Sequence, residues 1–297
     1  MRNIFDNSSS QWVRYYNYIW REIDGKLYLM PAENAKPEIY DPLKNGKQAV
    51  IDALNIGRLC MSKKPDSEIR EAILEFAQNY GMLGLMTALP TTANFMDYEY
   101  VYLPKNRFIK AETMVSEEYL ALFFPTEKPD VTKHGVESVW NIENDRTMIA
   151  LAMAMSGKPT AMNMSFQRGY AERYDWLKQQ FTDWIFVFST SLLYYEGSDD
   201  EETKELFRQA MSAFDGNAPT YHIELRDKPT IVWDFHSLLL MIQMMFSTML
   251  TDEKNPLRLC KHCNKVFEAK RPDNLFCSAE CKNRFNVYKS RAKEKNE

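Results

Sequence analysis

Cysteine is scarce, with five in 297 residues, and an odd count so low rules out the disulfide framework of a small secreted scaffold. The opening run Met1-Arg-Asn-Ile-Phe-Asp-Asn-Ser-Ser-Ser10 lacks the apolar segment that a secretory leader needs. A reducing compartment, the cytoplasm, is the expected location. Long apolar runs are missing too. The richest, Trp233 to Leu250, carries Asp234, His236 and Gln243, which are costly in lipid, so it is expected as a buried core helix and no membrane partner is expected. No phosphate-binding Walker loop, dinucleotide glycine fingerprint, His-Glu-x-x-His pair or nucleophile elbow occurs. His134, His222 and His236 are isolated, and none stands in a metal-binding helical spacing with a carboxylate. Nothing positive points to an enzyme. Internal repeats and low-complexity tracts are absent as well.

What is present is enough to build a core. Hydrophobic residues make up 45% and charged residues 26% of the chain, the ordinary balance of a globular protein. Charge is unevenly spread. Residues 254–297 hold 12 Lys+Arg against 5 Asp+Glu, a balance of +7, while the rest of the chain holds 25 against 36, a balance of −11. That split marks an acidic body, residues 1–253, and a basic tail, residues 254–297.

Four of the five cysteines lie in that tail: Cys260-Lys-His-Cys263 and, after thirteen residues, Cys277-Ser-Ala-Glu-Cys281. Two close pairs at this separation match the ligand set of a structural zinc site closed by thiolates alone. Four unrelated core thiols are the bland alternative, disfavoured by the near absence of cysteine elsewhere. Cys260, Cys263, Cys277 and Cys281 are therefore the expected ligands of one structural zinc ion, with iron as the substitute that a tetrahedral sulfur site also accepts. A full set of protein ligands leaves no position for a reacting water, so catalysis at the ion is not expected. The pattern predicts a knuckle at 260–263, a hairpin of Val266-Phe267 with Leu275-Phe276, and a helix capped by Ser278 that carries Cys281 in its first turn: a treble clef. Continued as a helix, Lys282, Asn286, Lys289 and Lys293 line one side, with Arg284 and Arg291 flanking. Such a face suits phosphate contact, with Asn283 or Asn286 at base edges; a solvated basic tail is the competing reading.

Upstream, Tyr18–Ile23 and Lys26–Met30 read as a hairpin around Asp24-Gly25, the pair that tolerates positive φ in a two-residue turn. Residues 31–42 read as loop. Helices are expected from Ser67 to about Met82, from Ser116 to about Phe124 and over Ile149–Met155. A long one follows, with Tyr170, Tyr174, Leu177, Phe181, Trp184, Phe188 and Leu192 as its apolar stripe. A strand at Asp97–Leu103 is expected to turn at Pro104-Lys-Asn106 into a partner near Arg107–Glu112. Ser198 to Glu201 reads as a capping box for a helix turning Leu206, Phe207, Ala210, Met211 and Phe214 inward. A second hairpin, Tyr221–Leu225 with Thr230–Trp233, leads into the apolar helix at 235–250. The methionines, including Met241, Met244, Met245 and Met249, read as flexible core filling. The fold class is thus α+β: a predominantly helical body with small β-hairpins, then the treble-clef finger.

The tail's Cys-x-x-Cys, the aromatic Phe267, Phe276-Cys277-Ser278 and the run Cys281-Lys-Asn-Arg284 resemble the CGNR-type zinc finger of bacterial proteins, with Lys282 standing where the family has glycine. The resemblance covers the last forty or so residues. It implies a helical N-terminal region followed by a treble-clef finger, and a transcriptional regulator with nucleic-acid contact carried over at Asn283 and Arg284. Lys282, Asn286, Lys289, Arg291 and Lys293 join them as contacts to DNA or RNA from the helix-face reading. The alternative is a zinc-stabilised interaction module or scaffold that binds a protein partner and no nucleic acid.

Overall fold

The computed structural model describes residues 4–62, 64–86, 99–103, 107–126, 168–197, 200–212, 214, 216, 218–235, 237–271 and 273–294. In chain order the strands are β1 Ser8–Ser9, β2 Trp12–Tyr15, β3 Tyr18–Ile23, β4 Lys26–Pro31, β5 Pro37–Tyr40, β6 Tyr100–Tyr102, β7 Thr113–Val115, β8 Glu172–Arg173, β9 Thr220–Leu225, β10 Pro229–Asp234, β11 Leu257–Leu259 and β12 Val266–Glu268. The helices are α1 Gly46–Met61, α2 Asp66–Tyr80, α3 Ser116–Ala121, α4 Tyr174–Glu196, α5 Glu201–Ser212, α6 Leu238–Leu250 and α7 Ala279–Glu294. The fold is mixed: helices with small, mostly antiparallel sheets, ending in the cysteine cluster. No described helix is long and apolar enough to cross a membrane.

Two compact units emerge. The first gathers Met1–Lys44, Arg70–Leu177 and Asn217–Met241. Its hairpin β3–β4 turns as expected, with Asp24 at φ 49° and Gly25 at φ 70°, and β8 adds to β4 as a third strand. The stretch expected as loop contains β5, which pairs antiparallel with β2 from Trp12↔Tyr40 to Tyr15↔Pro37. Burial explains the discrepancy. Trp12, Val13 and Tyr15 lie in the core, and their strand needs a neighbour for its backbone groups. Strand β6 pairs with β7, at Tyr100↔Val115 through Tyr102↔Thr113, so the partner lies a few residues beyond the expected 107–112. Helix α3 begins at Ser116 itself, with Val115 in the capping position.

Glu172 organises the interior of this unit. It is fully buried, and its carboxylate accepts the backbone N–H of Leu83 at 3.0 Å, Gly84 at 2.6 Å and Leu85 at 2.9 Å, and the Tyr170 hydroxyl at 2.9 Å. Burial pushes its carboxyl above the usual range, opposed by the Leu85 amide, the Tyr170 hydroxyl and the Leu83 and Gly84 amides. The loop it gathers turns through Gly81 at φ 85° and Gly84 at φ 78°. At Gly84 a Cβ would lie 2.9 Å from both Ser237 and the Trp12 ring, so only glycine fits. Tyr170 therefore belongs to this network and not to the long helix, which starts at Tyr174.

The second unit gathers Asn45–Ile69, Lys178–Gly216 and Ile242–Glu297. Helix α1 was not expected from the sequence. It buries Ala49, Val50, Ala53, Leu54 and Ile56. At Gly57 a Cβ would stand 2.2 Å from the Phe181 carbonyl oxygen and 2.8 Å from Ile185, so this glycine lets α1 approach α4 closely. Phe181, Trp184 and Phe188 of α4, and Ile242, Met245, Phe246 and Met249 of α6, are buried; these methionines do fill the core. Helix α5 departs from expectation: none of its residues is buried. Its cap is Asp200, whose carboxylate accepts the Thr203 N–H at 2.9 Å and is held below the usual carboxylate range by its bonds to Thr203. Ser198, the residue expected to cap, lies outside the described residues, as do the expected helix at 149–155, the turn at 104–106, His134 and His236.

Candidate metal centre

The cysteine unit begins with a hairpin, β11 against β12, paired Leu257↔Glu268, Arg258↔Phe267 and Leu259↔Val266. The knuckle is the tip of this hairpin, so the first cysteine pair is closed by strands on both sides. The expected hairpin of 266–267 with 275–276 is corrected: Leu275 carries no strand. Its carbonyl accepts the Lys261 N–H at 3.0 Å, tying the second cysteine segment to the knuckle. Inside the turn, Cys260 N–H donates to Lys265 O at 2.9 Å and Asn264 N–H to Cys260 O at 2.9 Å. Asn264 completes it at φ 57°, a conformation asparagine tolerates better than most residues.

The second pair is set by a helix start. Ser278 Oγ accepts the Cys281 N–H at 3.2 Å and the Ser278 carbonyl accepts from Lys282 N–H at 3.2 Å, so Ser278 caps α7 as expected. Cys281 then lies in the first turn of α7. The four Sγ atoms of Cys260, Cys263, Cys277 and Cys281 all lie within 4.8 Å of one another. Cys263 to Cys277 measures 3.6 Å and Cys277 to Cys281 3.5 Å. With metal–sulfur bonds of about 2.3 Å, the edge of a tetrahedron of thiolates around zinc is about 3.8 Å. Donor chemistry and spacing both fit a single divalent ion.

Electrostatics set the thiols apart. Burial raises the Cys260 thiol, but the amides of Cys263, Cys277 and His262 that point at its sulfur outweigh this and bring its pKa down to about 6. Burial and hydrogen bonds from the neighbouring thiols push Cys277 up, and burial pushes Cys263 up as well. Cys260 is buried, Cys263 and Cys281 are half-buried and Cys277 is exposed. Phe267 and Ala269, with Phe276 at the margin, pack on the cluster and form a small core.

The finger is seated on α1. Asn55 donates Nδ2–H to Val266 O at 3.0 Å and accepts Val266 N–H at Oδ1 at 2.9 Å, taking the place of a third strand beside β12. Lys47, about two turns before Asn55 on the same helix, pairs with Glu268. Sequence reading missed both residues, although the apolar steps Ala49, Val50, Ala53, Leu54 and Ile56 would have signalled the helix that carries them.

Helix α7 leaves the cluster with one face held. Phe276 meets Phe285 at 5.2 Å, and His262 stacks on Tyr288 at 5.8 Å and 20°. Lys282, Asn283, Arg284, Asn286, Lys289 and Arg291 are exposed, and Lys293 follows one turn beyond Lys289. Among the described residues no carboxylate pairs with Lys282, Arg284, Lys289 or Arg291. Cys60, the fifth cysteine, is half-buried on α1, away from the four; burial pushes its thiol up to about 11. No protein-family model matches the chain, and neither the curated proteins nor the solved structures give a match.

Proposed function

We propose that residues 254–297 form a treble-clef finger of the CGNR type, closed by one structural zinc ion on Cys260, Cys263, Cys277 and Cys281, and that its final helix binds nucleic acid in a cytoplasmic transcriptional regulator. A knuckle at the tip of a hairpin, followed by a capped helix that carries Cys281 in its first turn, supports the treble clef. A ligand set complete without water supports a structural ion over a catalytic one. The observation that carries nucleic-acid contact is the free basic surface of α7. Lys282, Asn286, Lys289 and Lys293 descend one side in steps of four, three and four, Arg284 and Arg291 descend the other, and the side chains described among them are exposed and unpaired. A basic tail that served to satisfy the acidic body would have spent those charges on carboxylates within reach. Phosphates of DNA or RNA would supply the anions, and the exposed Asn283 and Asn286 are the side chains on this helix suited to base edges.

The test is retention of fluorescent duplex DNA and of single-stranded RNA by the zinc-loaded full chain across a salt series. Affinity is expected to fall linearly on logarithmic axes, and the variant with Lys282, Arg284, Lys289 and Arg291 all changed to Ala should lose about one from the salt slope per phosphate contact removed. Binding that is indifferent to both salt and these substitutions overturns the reading.

A second reading, a metal-held module that binds a protein partner, draws on Val287, exposed on the outer face of α7 between Asn283 and Ser290. It requires that Val287→Asp abolish capture of that partner while the four-alanine variant retains it.

A further inference from the structure

We propose that the chain pairs with a second copy of itself through strand β9, edge to edge and antiparallel, about a two-fold axis at Ile223. In its own sheet, of order β1-β10-β9, β9 is an outer strand. It bonds to β10 through six unbroken register pairs, from Pro229↔Leu225 to Asp234↔Thr220, and no described strand lies on its other side. Natural edge strands are usually protected by a bulge, an internal proline or a lysine. Tyr221–Leu225 has none of these, its one carboxylate, Glu224, being paired with Arg226, and no described strand takes the outward backbone groups of those residues.

The side chains on this ribbon are arranged for a partner. Tyr221, Ile223 and Leu225 point to one face, joined across the ladder by Trp233, Ile231 and Pro229. Tyr221 is 61% exposed, Ile223 65%, Leu225 82% and Ile231 51%. Single exposed apolar residues are ordinary; a contiguous group approaching a few hundred Å² marks an interaction surface. The opposite face carries His222 and Glu224, where His222 Nδ1 contacts Asp234 Oδ2 at 2.7 Å and Arg226 pairs with Glu224.

These residues select both the occupant and the register. Two copies of one strand related by a two-fold axis normal to the sheet keep each face in common only if residues of like parity meet. Centred on His222, the pairing opposes two histidines, and centred on Glu224 it opposes two carboxylates, which is unfavourable. Centred on Ile223, it sets Ile223 against Ile223 and Tyr221 against Leu225 on the apolar face. On the polar face it sets His222 against Glu224 and Thr220 against Arg226. The strand is therefore complementary to itself in one register, the condition for an isologous dimer. A single six-residue edge buries an area at the small end of specific interfaces, so the dimer forms at micromolar concentrations and exchanges.

The experiment is sedimentation of the zinc-loaded full chain over a concentration series, paired with cysteine cross-linking. Wild type is expected to reach twice the chain mass of 34.9 kDa, and Ile223→Lys, at an exposed position where folding is undisturbed, should raise the dissociation constant at least tenfold. Under mild oxidation, Ile223→Cys should form a covalent dimer, because directly opposed residues stand about 4.5–5.5 Å apart, within disulfide reach. Leu225→Cys should not, since its own copy would lie four residues away along the ladder. Leu225 is the more exposed of the two, so cross-linking by random collision would give the reverse order. A wild type that stays monomeric throughout, or a Leu225→Cys variant that links as readily as Ile223→Cys, overturns the proposal.

Discussion

The amide side chain of Asn55 bonds both backbone groups of Val266, giving a hydrogen to the carbonyl at 3.0 Å and receiving one from the N–H at 2.9 Å. Those 211 residues of separation are bridged by a side chain acting as a strand edge, and the bridge joins the hairpin that supports Cys260 and Cys263 to a helix of the same unit. Asn55→Ala leaves two ladder groups without partners, at a cost of about 1–3 kcal/mol. Because the binding free energy of the ion is shared with folding, the same variant is expected to give up zinc more readily. Urea unfolding and competition with a coloured chelator measure the two effects. An unchanged midpoint with unchanged zinc affinity would show that the seat is incidental.

Glu172→Gln tests the buried carboxylate. The amide keeps one acceptor oxygen and places an NH₂ against backbone N–H donors now bonded to the other oxygen. Donors facing donors at a fully buried position cost about 2–3 kcal/mol or more. Urea denaturation is expected to show a loss of that size, and a loss below about 0.5 kcal/mol would mean that the loop from Gly81 to Met86 does not depend on it.

Gly57→Ala sets two effects of known size against each other. Alanine in a helix interior is worth about 1 kcal/mol over glycine. Here the new methyl would sit 2.2 Å from Phe181 O, and such overpacking costs about 1–3 kcal/mol. The steric term is expected to win, with a net loss in thermal unfolding. A stabilised variant would show that α1 and α4 separate freely.

Chelation is expected to melt the finger and its helix together. Helix α7 has sixteen residues, a length at which isolated helices are marginal, and Tyr288 and Phe285 hold it to His262 of the knuckle and to the Phe276 ring. Far-ultraviolet circular dichroism should lose helical signal on adding chelator and regain it with zinc. Cys260→Ser should abolish the recovery, while Cys60→Ser should not.

The legible parts of the sequence were those encoded locally. Cys260, Cys263, Cys277 and Cys281 announce themselves by spacing, Ser278 by its position before a helix, and Asp24-Gly25 by the φ angles its turn requires. What stayed hidden depends on partners distant in the chain. Nothing near Pro37–Tyr40 marks it as a strand, because its pairing is owed to the buried Trp12 and Tyr15. Tyr170 falls on the three-and-four rhythm of α4 by coincidence, and only Glu172, meeting three amides some 87–89 residues away, removes it from that helix. Helix α1 was obscured by Gly46 and Gly57. The second of these is there for closeness to α4, which no local propensity can express. The hairpin of the finger was assigned to Leu275-Phe276 for its aromatic-aliphatic character, yet Leu257–Leu259 won the pairing because it brackets the knuckle directly.

X-ray absorption of the zinc-loaded chain, with metal content measured on the same sample, tests the central claim most directly. One zinc per chain surrounded by four sulfurs at about 2.3 Å is the expected result. A chain purified from zinc-replete cells without stoichiometric metal, or an ion whose shell contains nitrogen or oxygen in place of one of these sulfurs, would contradict it.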